Sequence, residues 1–233
     1  MVADFAEEIW DGPIVDGGEP YRTMHSVEHF AGKVWVVRTD TVDFDGQVIN
    51  RDVLVHPGAV AIVALDEDDR VLLIRQYRHA IGQYIFEPPA GLLDHGGEPP
   101  LTTATRELAE ESGYEANEWH TLVDFVNSPG GSSEAIRVYL ARKVSPMAGG
   151  RPHTGEAEEG YLPRVWVSLD EARDLVLSGA ISGPTAVVGI LAAWTSRAGG
   201  WKSLRAANEP WRMRDHLVSY GRVAEHFKKP GLS

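Results

Sequence analysis

The sequence predicts an α/β (α+β) protein built around a mixed β-sheet, from three observations. Alternating and continuous apolar runs of strand length fill much of the first half of the chain. Amphipathic and apolar segments of helical length follow each other later, without a strict βα repeat. The length of 233 residues suits one large domain, or one domain with terminal arms.

Charge and composition exclude several classes of function. The formal net charge is -12, so no basic excess is available to neutralise the phosphates of nucleic acid or an anionic membrane. The chain has no cysteine, which excludes disulfides, thiolate zinc sites and thiol nucleophiles. An acidic balance does suit a protein that concentrates divalent cations.

The N-terminus indicates a cytoplasmic protein. Its first eight residues include three acidic ones, and they lack the basic start and apolar run of a signal peptide. No stretch approaches the roughly 18 apolar residues that a membrane span needs. Residues 1 to 30 are expected to be polar and irregular.

The strands of the first half are predicted from their apolar patterns. A hairpin is expected over residues 33–41 and 47–55, because the turn-prone Phe44-Asp45-Gly46 lies between them. The continuous apolar run 59–65 is typical of a buried strand. Two further strands are expected at residues 71–74, continuing to 78, and at residues 84–86, which end before Pro88.

The next predicted element is a helix that follows a Gly- and Pro-rich loop. The loop spans residues 91–100, and Pro99 and Pro100 suit the first helical turn. The helix is expected from Leu101 to Ser112, with Gly113 as its left-handed C-terminal cap. Strands at residues 122–126 and 135–141 are expected after it.

The last third contains a loop, a short strand and two helices. The loop covers residues 146–160 and the strand residues 165–167. Ser168 is a good N-cap for a helix over residues 169–177. Residues 184–196 are apolar around most of the helical circumference, which predicts a buried helix.

Three carboxylates in the first helix carry the most informative chemistry. Residues three and four apart are neighbours on a helix, so Glu107, Glu110 and Glu111 share one face. Crowded carboxylates repel each other, and such oxygen ligands suit magnesium or manganese. A solvated acidic face is the ordinary alternative for Glu-x-x-Glu-Glu. Glu98 in the preceding loop and Arg106 beside the carboxylates favour a metal site.

Residues 91–114 resemble the Nudix box. The box is Gly, five residues, Glu, seven residues, then Arg-Glu-apolar-x-Glu-Glu-x-Gly-apolar. The chain has the matching residues at Gly91, Glu98, 106–111 and Gly113-Tyr114. It departs from the box in one respect, because six residues separate Gly91 from Glu98. We expect Gly96-Gly97 to absorb the extra residue as a bulge.

This resemblance implies a fold, a domain division and a metal. The fold is the Nudix α/β/α sandwich with a mixed sheet, preceded by an N-terminal β-hairpin region. The implied domains are an arm and hairpin over residues 1–56, a hydrolase domain over 57–198 and a C-terminal arm over 199–233. The implied cofactor is Mg²⁺ or Mn²⁺, which neutralises a pyrophosphate and activates water.

The resemblance also implies roles for individual residues. Glu107 and Glu111 are the expected metal ligands, assisted by Glu110 and by the backbone carbonyl of Ala90. Glu111 and Arg106 are expected to be essential for catalysis. Arg106 and Glu98 are expected to form a structural pair, and Gly91 and Gly113 are structural positions of the motif.

Four further stretches resemble the ADP-ribose pyrophosphatase subfamily. They are residues 51–61, 75–78, 87–91 and 128–131, and Pro129 lies where that subfamily has proline. The resemblance implies hydrolysis of a nucleoside diphosphate sugar, with ADP-ribose giving AMP and ribose 5-phosphate. It also implies a homodimer in which the N-terminal strands reach the partner's active site.

The resemblance implies that a glutamate in the 146–160 loop acts as general base or as the final metal partner. The candidates are Glu156, Glu158 and Glu159. The distance to Trp166 favours Glu159, with Glu158 second. A solvated acidic loop is the alternative interpretation for each of them.

Substrate contacts are expected from Arg51, Arg78, Glu134 and Pro129. A flat guanidinium at Arg51 or Arg78 suits adenine or phosphate, although surface ion pairing is an equal alternative. Glu134 is expected to accept hydrogen bonds from the terminal ribose.

Other functions stay open at this point. The substrate could be NADH, another nucleotide sugar or an oxidised nucleotide. A non-catalytic ADP-ribose sensor is disfavoured, because such domains usually lose box carboxylates and none is lost here.

Overall fold

The computed structural model describes residue 10, residues 12–152 and residues 162–223. An antiparallel sheet of three strands comes first: β1 (Arg22–Ala31), β2 (Val36–Phe44) and β3 (Gln47–Val55). The predicted hairpin corresponds to β2 and β3, with Asp45 and Gly46 in the turn at positive φ. The expectation that residues 1–30 are irregular is wrong for β1. Its side chains are exposed at nine of ten positions, so no apolar period marks it.

The central sheet contains five strands and is mixed, as the sequence predicts. Its order is β11-β8-β9-β4-β7. Strands β4 and β9 pair in parallel, and the other neighbours are antiparallel. The strands are β4 (Ala59–Ala64), β7 (Ala90–Leu92), β8 (Tyr114–Val126), β9 (Ala135–Pro146) and β11 (Arg205–Ala206). Strand β8 begins directly after Gly113, eight residues earlier than predicted, and β7 was not predicted.

A third sheet has the order β10-β5-β6, all antiparallel. It consists of β5 (Arg70–Arg78), β6 (Gln83–Glu87) and β10 (Arg164–Ser168). These strands agree with the predicted ones within a few residues. A single bridge between Leu65 and Val71 connects this sheet to the end of β4.

Helices cover both faces of the central sheet, which gives an α/β/α sandwich. They are α1 (Pro100–Ser112), α2 (Leu169–Leu177), α3 (Pro184–Ala198) and α4 (Arg212–Ser219). Strand β4 is buried along its whole length and separates two cores. Ala61 and Val63 face α2 and α3, whereas Val60 and Ile62 pack on the side of α1. The period of two in a strand thus divides the sandwich into two cores.

Local signals fixed the ends of the helices. Helix α1 begins at Pro100, and Gly113 ends it with φ 71° and an N–H bond to Ala109 O of 2.8 Å. Ser168 caps α2 by accepting the N–H of Glu171 at 3.2 Å. Both caps confirm the predictions, because the left-handed φ favours glycine and the free N–H groups favour serine.

The described part of the C-terminal region packs on the sandwich. Strand β11 pairs with β8, and Trp211 is buried in the core on the α1 side. Arg137 of β9 donates to Glu209 O at 2.7 Å, and its guanidinium lies 4.9 Å from the Trp211 ring centre. The division at residues 56 and 198 stays a prediction. No helix among the described residues has the length and hydropathy to cross a bilayer.

Candidate active site

Helix α1 holds two carboxylates against the central sheet. Glu107 and Glu111 lie four residues apart and are only 9% and 6% exposed. Leu108 and Ala104 occupy the core face of the same helix and are fully buried. Since acidic side chains are rarely buried without partners, the surroundings of Glu107 and Glu111 must compensate their charge.

Arg106 brackets the acidic side chains of this region. Its Nη1 donates to Glu107 Oε1 and Glu110 Oε2, both at 2.8 Å. Its Nη2 donates to Glu98 Oε2 at 3.2 Å, and Thr103 Oγ1 donates to the same oxygen at 2.8 Å. The pair of Arg106 and Glu98 is therefore present, and the extra loop residue does not prevent it.

The contacts between Arg106 and the acidic side chains shift the pKa values of Glu98 and Arg106 toward the charged forms. Burial raises the pKa of Glu98, but hydrogen bonds from Arg106 and Thr103 outweigh it, and the net pKa is lowered. Burial lowers the pKa of Arg106, yet Glu98, Glu107 and Glu110 raise it overall. The cluster is an ion-pair network in which one guanidinium serves three carboxylates.

The backbone of β7 lies directly against the carboxylates. Ala90 N–H donates to Glu111 Oε2 at 2.8 Å. A Cβ atom added at Gly91 would lie 2.2 Å from Glu107 Cδ and Oε1. Only glycine leaves room for the Glu107 carboxylate at this position. Proximity of the carboxylates to the peptide at Ala90 and Gly91 depends on this glycine.

Two arginines occupy the C-terminal end of α1. Arg151 Nε donates to Glu110 O at 2.6 Å, and Arg164 Nη1 donates to Ser112 O. Carbonyls of the last helical turn have no partner within the helix, and cations favour that end. These arginines flank the segment with Glu156, Glu158 and Glu159, which lie outside the described residues.

The donor set of this region fits a hard divalent cation. It consists of carboxylate oxygens and a peptide group, which magnesium and manganese prefer. A carboxylate oxygen that accepts one N–H bond keeps further acceptor capacity. Among the residues that the structure describes, no three His, Asp or Glu side chains already converge in metal-binding geometry. Glu107, Glu111 and Ala90 would have to be completed by substrate, water or further groups.

Arg78 is engaged in an ion pair. Its Nε donates to Glu87 Oε2 at 2.6 Å across the β5-β6 pair, and Glu87 is 7% exposed. This geometry matches the alternative of ion pairing. The substrate contact predicted for Arg78 stays a prediction.

Glu134 belongs to a buried hydrogen-bond cluster. It accepts from Asn127 Nδ2 at 2.7 Å and lies 3.7 Å from His56 Nε2. His56 Nδ1 accepts the N–H of Gly58 at 3.0 Å. Burial lowers the pKa of His56 more than Glu134 raises it, so the neutral ring is favoured. The sequence assigned no role to His56, and only its buried position reveals this contact.

Arg51 and Pro129 line a cavity of about 1200 Å³. Its walls come from the N-terminal sheet, the 129–133 loop, residues 15–20 and residues 205–222. The carboxylates of α1 are not in this lining, so the predicted metal ligands do not share this cavity with Arg51 and Pro129.

Similarity to known proteins agrees with this geometry. The model of the NUDIX domain matches residues 55–183. The chain belongs to the Nudix family. The chain is a hydrolase of this family, and its α/β/α sandwich is also the fold of the solved structure described below.

Two curated relatives and one solved structure show how far the similarity extends. An ADP-ribose pyrophosphatase of Mycobacterium tuberculosis is 42% identical over 173 residues, which cover 74% of this chain and 82% of the relative. A methanol dehydrogenase activator of Bacillus methanolicus is 33% identical, covering 72% and 90%. The crystal structure of an ADP compounds hydrolase has a TM-score of 0.65 at 22% identity, covering 90% and 100%.

Sequence reasoning missed the two helix-end arginines. Arg151 and Arg164 lie 41 and 52 residues from the carbonyls that they bind, so no helical spacing links them. The sequence shows that Arg151 and Arg164 lie on either side of the acidic segment. It does not show that both bind carbonyls at the C-terminal end of α1.

Proposed function

We propose that this Nudix hydrolase cleaves the pyrophosphate of ADP-ribose to AMP and ribose 5-phosphate, with Mg²⁺ or Mn²⁺ as cofactor. The observation that carries the proposal is the pair of buried carboxylates, Glu107 and Glu111, held against the peptide of Ala90 and Gly91. Similarity to an ADP-ribose pyrophosphatase over most of both chains supports the substrate.

The proposed division of labour follows from the contacts. Glu107 and Glu111, assisted by Glu110 and by the carbonyl of Ala90, would hold the cation. A bound divalent cation would neutralise phosphate charge and lower the pKa of a coordinated water. Arg106 donates hydrogen bonds to Glu107 and Glu110 and so orients both carboxylates before substrate arrives.

A general base from the loop after β9 completes the proposal. Glu159 is the first candidate and Glu158 the second, with Glu156 as the remaining acid. Single Gln variants of the three, assayed at several pH values, should identify the base as the one whose loss removes the alkaline plateau of turnover.

We propose that Arg51, Pro129 and Glu134 contact the substrate.

We also propose that the protein is a homodimer joined through its N-terminal sheet. Apolar side chains on this sheet support the dimer. Met24, Phe30 and Val48 are 53%, 58% and 64% exposed, which is unusual for large apolar residues on a strand. Light scattering on the purified protein measures the mass, and a monomer at micromolar concentration would contradict the dimer.

Glu111→Gln tests the metal assignment most directly. The amide keeps the size of the side chain and an oxygen that can accept the Ala90 N–H, but it removes the charge. We expect turnover of ADP-ribose to fall at least about 100-fold, because a charge that acts on the reacting centre is lost. The measurement is release of AMP with Mg²⁺ or Mn²⁺, with and without chelator.

Glu115→Gln is the matched control, because Glu115 is exposed on β8 just beyond the helix. It should retain normal turnover. Near-normal turnover of Glu111→Gln would contradict the metal assignment. A panel containing NADH, other nucleotide sugars and oxidised nucleotides tests the substrate separately.

A further inference from the structure

The N-terminal sheet contains a fully buried carboxylate. Asp40 lies on the middle strand β2 and is 0% exposed, although most of the sheet around it is open to solvent. Ser26 Oγ of β1 donates to Asp40 Oδ1 at 2.5 Å, and Arg38 Nε lies 3.3 Å from the same oxygen. Asp40 Oδ2 accepts from Arg222 Nη1.

The carboxylate of Asp40 is ionised in this environment. Burial raises its pKa, but hydrogen bonds from Ser26 and Arg222 and the charges of Arg222 and Arg38 lower it overall. Arg222 is itself 9% exposed, and its guanidinium lies 4.7 Å from the Tyr220 ring centre. A buried charge needs a partner with good geometry, and Arg222 provides it from the far end of the chain.

The main chain of Arg222 contacts a different part of the molecule. Its carbonyl oxygen accepts from Ser133 Oγ at 2.6 Å. Ser133 Oγ in turn accepts the N–H of His56 at 3.0 Å, so this hydroxyl is used both as donor and as acceptor. Arg222 thus binds the N-terminal sheet with its side chain and the 128–134 loop with its backbone.

The two elements that Arg222 joins are also in direct contact. Ser133 N–H donates to Leu54 O at 3.0 Å, and Leu54 N–H donates to Gly131 O at 2.8 Å. Asp40 faces Arg51 in the ladder between β2 and β3. The residues proposed to contact substrate therefore belong to the two elements that Arg222 connects. Arg51 belongs to the N-terminal sheet, and Pro129 and Glu134 belong to the 128–134 loop.

We propose that Arg222 is a positioning residue, which fixes the N-terminal sheet relative to the 128–134 loop and thereby determines how tightly the nucleotide substrate binds. Its side chain lines the same cavity as Arg51 and Pro129, and the α1 carboxylates are not in that lining. The part of the proposal that concerns substrate rests on the proposed function, but the mechanical part does not.

The mechanical part is tested by hydrogen–deuterium exchange of Arg222→Met, without substrate. Methionine fills most of the volume and removes the charge. We expect faster amide exchange in two separate segments, residues 36–44 and 128–134, and unchanged exchange in the core strand β4. Faster exchange confined to residues 212–222 would overturn the coupling, even if the enzyme hydrolyses ADP-ribose as proposed.

The functional part is tested by steady-state kinetics of the same variant. We expect KM for ADP-ribose to rise at least about tenfold while kcat stays within about twofold, because binding groups are displaced but the metal helix is not. A fall in kcat at unchanged KM would overturn the positioning role. Asp40→Asn should raise KM similarly, and Asp40→Asn combined with Arg222→Met should add little to either single change.

Arg70→Met is the matched control, since it breaks an exposed ion pair with Asp66 in a surface turn. It should change neither exchange pattern nor KM. If Arg222→Met does not fold, Arg222→Lys is measured in its place. Lysine keeps the charge but cannot reproduce the guanidinium geometry, so the same shifts in smaller amplitude are expected.

Discussion

The molecule compensates acidic side chains in two different ways, in helix α1 and in the N-terminal sheet. Around α1, one guanidinium binds three carboxylates that come from residues 98–110, and its side chain is 27% exposed. In the N-terminal sheet, Asp40 is fully buried, and Arg222, which follows 182 residues later, supplies its charged partner. The first network joins neighbouring residues and is open to solvent at Arg106, Glu98 and Glu110. The second joins distant residues and is buried.

The difference decides what each network is suited to. A partly exposed cluster is screened by water, so its carboxylates can exchange an internal partner for a cation at modest cost. A buried pair is sensitive to the loss of either partner, because removing one leaves an uncompensated charge. We therefore expect changes near α1 to act mainly on turnover, and changes at Asp40 to act on stability and on KM with little change in kcat.

Gly91→Ala should produce the largest effect. The added Cβ atom would lie 2.2 Å from the Glu107 carboxylate, which must then leave its position beside Arg106. The backbone of Gly91 has an ordinary φ, so the helix and the sheet should remain folded. We expect turnover of ADP-ribose to fall about 100-fold, as for other small displacements of reacting groups.

Turnover and thermal midpoint are measured together for this variant. Gly199→Ala is the control, because its added Cβ atom would have no heavy atom closer than 3.6 Å. If Gly91→Ala unfolds the protein instead of inactivating it, the expectation that changes near α1 act mainly on turnover is wrong.

Asp40→Asn should produce the largest loss of stability. It leaves the Arg222 guanidinium buried without an anionic partner on that side, which costs about 3 kcal/mol in typical buried pairs. The measurement is the free energy of unfolding in urea at pH 7. A cost below about 1 kcal/mol would mean that the pair behaves like a surface salt bridge.

The dependence on pH sharpens this prediction. The pKa of Asp40 is lowered in the folded protein, so its stabilising contribution is complete above the ordinary aspartate pKa. It is lost as the pH falls through the lowered value. The difference in stability between wild type and Asp40→Asn should therefore be constant near neutral pH and shrink below about pH 3.9.

Arg164→Met should produce the smallest of the three effects. It removes the donor to Ser112 O at the end of α1 and the contact with the Tyr114 ring, at 6.0 Å from its centre. A single charge-assisted bond at a partly exposed helix end contributes about 1 kcal/mol. Arg70→Met is the comparison in urea unfolding, because Arg70 pairs with Asp66 and Asp68 in a surface turn. Equal losses of unfolding free energy in both variants would show that the contacts of Arg164 at the end of α1 stabilise the fold no more than a surface ion pair does.

Local signals allowed the box helix to be predicted almost residue by residue. The helical spacing placed Glu107 and Glu111 on one face. Gly113 and Ser168 could be predicted as helix caps because capping depends on only a few neighbouring residues. The predicted strands at β4 and β5 follow from continuous apolar runs, because both lie in the buried core. In these regions, residues close in the sequence determine the local structure.

The remaining features depend on contacts across the fold. Strand β1 was missed because a strand that is exposed on both faces has no apolar alternation. The pair of Asp40 and Arg222 was missed because no spacing rule reaches 182 residues. One signal was present in the sequence, since Asp40 is a lone acid within the valine- and threonine-rich run at residues 36–42. The separation of Arg51 and Pro129 from the box helix likewise depends on how the N-terminal sheet docks.

The long separation of Asp40 and Arg222 also has a consequence for the order of folding. At synthesis rates of about 5–20 residues per second, the ribosome needs roughly 9 to 36 s to advance the 182 positions from Asp40 to Arg222. During that time Asp40 has no guanidinium from Arg222, and closing so long a loop carries an entropic penalty that grows with its length. The N-terminal strands can pair with the 128–134 loop as soon as that loop is made, but the charge of Asp40 gains Arg222 as its partner only near residue 222.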